Sequence, residues 1–265
     1  MKITRHGCDV LIVGGGAAGL KAAVTLLEGN LKIRLALVVK GKLGRCGTTA
    51  NAVSDRMAFH ATMPYTPPGG RDNWMMHARD IFEIGRRVSD RPQAGILAKK
   101  SREVTEYLCS IGVPFARDGE GRVSQFLTDG SLYPRACFTG PYTSWDIEKC
   151  LKKRLEGFDF DLYEEMMLAD ILTVAGRKVS GAVCVDRGGN LHLFETPFVV
   201  IATGGAGGIY LDNCYPSGMT GDGYGAALMC GAELVNMEFI QFGICSRRLK
   251  VACSGSLMRS VPRIL

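Results

Sequence analysis

The sequence contains no C-x-x-C pair despite its ten cysteines, and its four histidines, His6, His60, His77 and His192, do not fall at ligand spacing from them. This argues against a structural zinc or iron–sulfur site, and no metal is expected. The thiols then read as small apolar side chains kept reduced, which points to a cytoplasmic protein. No apolar run approaches the length of a membrane span. The apolar stretch behind Lys2 and Arg5 is broken by glycines and by Lys21, which makes it a poor signal peptide. Lysine and arginine number 32 against 26 acidic residues, a formal charge of +6. They are scattered, in runs of no more than three, which describes a solvated basic surface and not a nucleic-acid face. Such a surface is compatible with an anionic ligand. Internal repeats and low-complexity tracts are also missing.

What is present in excess is glycine. The 34 glycines gather at residues 14–19, 204–208 and 218–225 rather than forming a linker. Clusters of this kind mark tight turns and close approach of backbone to a ligand. A chain of 265 residues, 46% hydrophobic and 22% charged, buries a sizeable core as one large domain or one domain with part of another.

Hydrophobic patterning orders the chain. Residues 8–13 form an apolar strand ending in glycines, residues 17–28 an Ala- and Leu-rich helix stopped by Gly29-Asn30, and residues 33–39 a second apolar strand. Together they make one βαβ unit. Two amphipathic helices are expected between residues 73 and 112. Trp74, Ala78, Ile81 and Phe82 form the core stripe of the first, and Ile96, Leu97, Val104, Leu108 and Ile111 that of the second. Residues 114–142 are polar and turn-rich and are expected to run over the surface. Ser144 reads as the N-cap of a helix through residue 155, with Asp146 and Glu148 in its first turn. A strand over 159–163 follows, then a meander of strands over 167–173, 179–185 and 191–194, with turns at Ala175-Gly176 and Gly188-Gly189-Asn190. A fully apolar strand over 198–202 runs into the second glycine cluster.

Gly14-Gly15-Gly16-Ala17-Ala18-Gly19 is a G-x-G-x-x-G placed between a strand and a helix. Gly14 permits the tight turn, Gly16 lets backbone come close to a pyrophosphate, and Gly19 lets the helix pack on the strand. The helix N-terminus attracts the phosphate charge. Dinucleotide folds usually end the second strand with Asp or Glu to hold a ribose. Here it ends Val38-Val39-Lys40, which argues against ordinary NAD recognition.

Residues 35–54, LALVVKGKLGRCGTTANAVS, resemble the corresponding stretch of the succinate dehydrogenase and fumarate reductase flavoprotein subunits. There an apolar strand ends in Ser-Lys and an Arg-containing loop follows. Arg45 matches the family arginine, Thr48 a threonine near the flavin phosphates, Ala50 a small residue, and Cys46 replaces a serine. Gly47 falls where respiratory members carry the histidine that bonds covalently to FAD. Residues 199–242 carry a second, longer match: Ala202 to Gly205 as A-T-G-G, Thr220 to Gly223 as T-G-D-G, then Glu238 and Gln241-Phe242. L-aspartate oxidases share these features.

The resemblance implies an α/β fold: a Rossmann-like FAD-binding domain with a parallel sheet and an inserted β-meander. It implies FAD, held non-covalently, with contacts from the glycine turn (Gly14, Gly15, Gly16, Ala17, Ala18, Gly19) and from Val39, Lys40, Arg45, Cys46, Thr48, Thr49 and Ala50. Leu168, Thr203, Gly204, Gly205 and Asp222 complete the set, Leu168 through its backbone near the adenine. FAD-dependent oxidation or reduction of a small-molecule substrate is the implied activity, and no catalytic residue is assigned. A redox partner subunit is typical of the respiratory members.

Two departures qualify this. The dicarboxylate-reducing members follow Gln-Phe with a substrate-holding histidine, whereas Gly243 follows here, so fumarate and succinate are not the expected substrates. Residues 246–265 do not match the family's substrate loop. Arg247, Arg248, Lys250, Arg259 and Arg263 could meet an anion there, although solvation is the ordinary role of each. The FAD-binding domain is expected over residues 1–242, with the start of a capping, substrate-holding region over 243–265. The rival reading is a truncated fragment that holds FAD without catalysis; a nicotinamide-dependent dehydrogenase is a weaker third.

Overall fold

Val10–Val13 and Leu35–Val39 are unbroken apolar runs, the pattern of strands covered on both faces. In the computed structural model both lie inside a parallel sheet. The structure describes residues 1–29, 32–66, 72–128, 130–175 and 178–240, together with 243, 245, 246, 248, 251 and 252. In chain order the elements are β1 (Ile3–Gly7), β2 (Val10–Val13), α1 (Ala17–Glu28), β3 (Leu35–Val39), α2 (Gly47–Asn51), β4 (Phe59–His60), α3 (Trp74–Ile84) and α4 (Arg91–Ser110). They continue as β5 (Gln125–Phe126), β6 (Ala136–Cys137), α5 (Thr143–Leu155), β7 (Asp161–Glu164), β8 (Met166–Val174), β9 (Lys178–Asp186), β10 (Leu191–Glu195), β11 (Phe198–Ile201) and α6 (Asp222–Met229). The expected turn residues Asn30 and Gly176, the Gln241-Phe242 match, and Arg247, Lys250, Arg259 and Arg263 lie outside the described residues.

The chain divides into two compact units. The first comprises residues 1–52, 151–241 and 247–250. It holds a four-stranded sheet in the order β11-β2-β3-β7, parallel throughout, with Val10 opposite Leu35 and Phe198 opposite Val10. Helix α1 turns Gly19, Leu20, Ala23, Val24 and Leu27 inward at helical spacing and stops where Gly29 donates its N–H to the Thr25 carbonyl. A second sheet, β1-β10-β9-β8, is the expected meander plus one strand. That addition, β1, pairs parallel with β10 (Ile3 opposite Leu191) and was not anticipated. Its ITRHG sequence carries little apolar signal, and its partner lies far along the chain. Phe194, Ala182, Cys184, Met166 and Ile171 fill the core behind this sheet.

The second unit comprises residues 53–150, 242–246 and 251–265. Its antiparallel sheet runs β4-β6-β5, accompanied by α3, α4 and most of α5. Here three expectations are corrected. The helices form, with Asn73 capping α3 and Asp90 capping α4, but their buried faces differ from the apolar stripes. Trp74, Ile96 and Leu97 are exposed, while α4 buries Ala94, Ala98, Ser101, Thr105 and Leu108. Small side chains allow a close approach, and the two hydroxyls satisfy themselves on the Ala98 and Ser101 carbonyls. Residues 114–142 are not all surface: Phe115, Val123, Arg135, Ala136 and Cys137 are buried. Finally, α5 begins at Thr143, whose hydroxyl accepts the Thr139 N–H at 2.9 Å, so Ser144 lies one residue inside it.

Candidate functional site

The turn after β2 is closed by protein at three of its glycines. Gly14 has φ +116°, and its N–H donates to the Val38 carbonyl at 2.8 Å. A Cβ there would overlap the Ala202 carbonyl, because the chains leaving β2 and β11 are pressed together; the Ala202 N–H donates to Val13 at 2.7 Å. A Cβ on Gly15 would meet the Val39 and Leu43 side chains, and one on Gly19 would overlap the Gly14 carbonyl. Gly16 is different. Its Cβ would meet only Thr49, whose Oγ1 lies 3.0 Å away and accepts the Ala17 N–H at 3.2 Å. Ala18, next in the turn, is exposed. The first-turn N–H groups of a helix lack intrahelical partners and carry its positive dipole end, so this turn attracts an anion.

Beside it, Val39 ends β3 buried and Lys40 emerges. The Lys40 ammonium donates to the Thr220 hydroxyl at 2.6 Å, to Asp222 Oδ2 at 2.6 Å and to the Gly218 carbonyl at 3.2 Å. The Thr220 hydroxyl in turn donates to Asp222 Oδ1 at 2.7 Å. The following loop is braced by Glu164, which accepts the Leu43 N–H at 2.8 Å and pairs with Lys42 at 3.1 Å. That backbone donor first, and Lys42 second, hold the Glu164 carboxyl below its usual range. Arg45 is exposed, and Cys46 lies against Gly41. Gly47 has φ +81°, a conformation that penalises any side chain, and it opens the short α2. Ala50 is half-buried on α2, and Asn51 secures the turn by donating to the Arg45 and Gly47 carbonyls. Thr48 Oγ1 is buried and has no hydrogen-bond partner among the described residues.

After β11 come Thr203, Gly204 (φ +76°) and Gly205, at which a Cβ would meet nothing within 4 Å. Gly223 packs against the Thr203 hydroxyl, so α6 starts beside this turn with Asp222 in its first turn. Leu168 sits in β8 opposite Cys184, its side chain in one cluster with Ala226 of α6, which leaves only its backbone for a ligand. The structure thus gathers the turn after β2, Lys40, Thr203 to Gly205 and Asp222 at the carboxyl ends of β2, β3 and β11. Open parallel sheets bind ligands at that edge. Thr220 and Glu164 were not among the site residues read from sequence. Thr220 had a signal in T-G-D-G; Glu164 had none. Among the described residues no group of three or more His, Cys, Asp or Glu could hold a metal, and no helix is long and apolar enough to cross a membrane.

A parallel sheet with a glycine turn, two helix N-termini and a buried, unpartnered hydroxyl at its strand ends defines a dinucleotide-binding protein. The chain belongs to the FAD binding domain family, whose model matches residues 9–260. It is 30% identical over 88% of its length to an uncharacterized FAD-dependent oxidoreductase of Methanocaldococcus jannaschii, covering 41% of that protein. It is 29% identical to a fumarate reductase (CoM/CoB) subunit of Methanothermobacter marburgensis, over 91% of this chain and 43% of that protein. With the L-aspartate oxidase of Pseudomonas aeruginosa the figures are 30%, 88% and 44%. Among solved structures it is similar to the Mycobacterium smegmatis Sdh1 complex in its apo form, with a TM-score of 0.83 and 29% identity over 91% of this chain and 41% of that one. The chain therefore spans about two fifths of the length of the curated relatives it matches.

The residues present fit FAD, the cofactor the family implies. A Cβ at Gly205 would meet nothing within 4 Å and one at Gly16 only the Thr49 side chain, whereas Gly14, Gly15, Gly19 and Gly204 are walled by protein, and the Thr48 hydroxyl is buried with an unmet hydrogen bond.

Proposed function

We propose that this chain is the FAD-holding part of a flavin-dependent oxidoreductase of the fumarate reductase, succinate dehydrogenase and aspartate oxidase kind. The unpartnered Thr48 hydroxyl carries the reading, because a buried polar atom is costly unless a ligand meets it. The glycine turn that leads into α1 (Gly14 to Gly19) draws the diphosphate with its N–H groups and the helix dipole, and Thr48, Thr49 and Ala50 line the approach. Val39, Lys40, Arg45 and Cys46 belong to the loop around it, Thr203, Gly204 and Gly205 bring backbone close, and Asp222 and the Leu168 backbone complete the set. Bound FAD supplies the redox chemistry, and this chain's residues bind and orient it.

FAD is held non-covalently in this reading. Gly47, where respiratory members attach the flavin by resemblance, has no side chain. The substrate is a small molecule other than fumarate or succinate, since Gly243 offers no side-chain donor to a carboxylate, and an anion suits the basic surface. We assign the FAD-binding domain to residues 1–242 and the start of a capping region to 243–265. Relatives named as subunits make a redox partner subunit the expected assembly. Cys8, Cys109, Cys137, Cys184, Cys230 and Cys245 are free thiols, in keeping with a reducing, cytoplasmic compartment.

The test is to purify the chain, reconstitute it with FAD and record its absorption spectrum before and after acid precipitation. A flavin spectrum whose colour passes entirely into the supernatant is expected. Protein that takes up no FAD would overturn the reading, and colour left in the precipitate would refute non-covalent binding and implicate Cys46. Turnover of fumarate with a reduced dye at ordinary flavoenzyme rates would refute the substrate assignment.

A further inference from the structure

Lys40 stands where dinucleotide folds place a ribose-binding acid, and its side chain is fully committed. An ammonium has three N–H donors, and Lys40 has three acceptors in Gly218, Thr220 and Asp222. No donor remains for a ligand. Asp222 is held equally firmly, one oxygen by Lys40 and the other by Thr220, yet each oxygen keeps a lone pair free to accept another hydrogen bond. The cluster contributes little to folding. Lys40 and Asp222 are partly exposed, at 37% and 21%, and exposed ion pairs add little stability. The pairing matters when an anion approaches, because an uncompensated carboxylate beside the α1 turn would oppose a diphosphate drawn there by the helix.

We propose that Lys40 is a positioning residue that acts through Asp222. It neutralises the carboxylate and fixes its direction, so that Asp222 accepts a hydrogen bond from the bound dinucleotide without repelling the diphosphate. The inference rests on the FAD reading above. It gives Lys40, expected among the cofactor contacts, a role through Asp222 and not through its own ammonium. It also assigns Thr220 a part, as the hydroxyl that relays the ammonium to the second carboxylate oxygen.

The experiment is a fluorescence titration of the apoprotein with FAD, at low and high salt, for wild type, Lys40→Met, Lys40→Arg, Asp222→Asn and Lys40→Met with Asp222→Asn. Lys40→Met is expected to weaken FAD binding by about tenfold at low salt, the order that follows from losing a charge-assisted contact. The loss should shrink at high salt, where the uncovered carboxylate is screened. Adding Asp222→Asn to Lys40→Met should restore part of the affinity by removing that charge, and Lys40→Arg should keep most of it. The unfolding midpoint of apo Lys40→Met should stay near that of wild type. Wild-type affinity in Lys40→Met, or a double variant as weak as both losses combined, would overturn the proposal. So would a loss of apo stability with affinity intact, which would make Lys40 merely structural. If wild type itself binds no FAD, the functional reading fails first, and the two failures are told apart by that one titration.

Discussion

Gly16 and Gly19 stand three residues apart in one turn, yet a methyl group added at each meets different things. At Gly19 it would overlap the backbone carbonyl of Gly14, which cannot move without opening the contact between α1 and β2. At Gly16 it comes within 3.0 Å of the Thr49 hydroxyl alone, a side-chain atom that must shift by a few tenths of an ångström. Gly19→Ala is therefore expected to lower unfolding stability by about 3 kcal/mol, the upper range for overpacking a closed site. Gly16→Val should cost the urea midpoint less than Gly19→Ala does and abolish FAD binding, because its side chain would occupy the space of the diphosphate. Urea unfolding and FAD titration on both variants separate the two roles. Equal destabilisation by both, or flavin retained by Gly16→Val at wild-type affinity, would overturn the division. The close packing at Gly19 was legible in the sequence because the motif's constraints are local, one strand and one helix apart. Lys40 was legible only as a departure from pattern. Its partners Thr220 and Asp222 lie 180 and 182 residues away, and no periodicity connects them.

Among the elements, α3 and α4 show how a correct period can come with the wrong face. Leu108 belongs to both the expected stripe and the observed one, but the rest of the buried face of α4 is Ala, Ser and Thr. The cause lies partly on α3, which buries His77 and Asp80. Asp80 and Asp72 hold Arg135, bonded through Nη1 to Asp80 at 2.6 Å and bidentately to Asp72 at 2.8 and 2.7 Å. All three are buried, and a charged side chain in the interior is what hydrophobic patterning cannot foresee. This cluster makes a pH prediction. Burial first, and Arg135 second, hold the His77 imidazole down to about 4 from the ordinary 6.5. Between those values the unfolded chain binds a proton that the folded one refuses, so stability is flat above pH 6.5 and falls as pH falls toward 4. The loss attributable to His77 is on the order of 3 kcal/mol. Urea midpoints measured from pH 7 to 4.5 should decline in wild type and decline less in His77→Gln, which cannot take up the proton. Identical slopes in the two proteins would sink the assignment.

At the scale of the molecule, the first unit leaves much apolar surface in water. Strand β11 reads as FVVI, a pattern for a strand covered on both faces, yet it is an edge of its sheet, with Phe198 65% and Ile201 41% exposed. Farther along, Leu211 is 93% exposed, Met229 81% and Val235 77%. Single exposed apolar residues are ordinary, but this many large ones on one unit favour association. The parallel unit of β2, α1 and β3 was open to sequence reasoning because it follows from apolar runs and one short connection. Which side chains are left bare was not, because patterning reports what a residue prefers and not what covers it. The expectation is that the 265-residue chain self-associates in solution through this surface. The site residues proposed for FAD are not among these side chains, so the two properties should separate. A variant carrying Leu211→Ser, Met229→Lys and Val235→Thr should elute as a monomer by size exclusion with light scattering, where wild type elutes larger and broader, and should bind FAD with wild-type affinity. Wild-type chain that stays monodisperse and monomeric at high concentration would show that these side chains, exposed as they are, do not direct association.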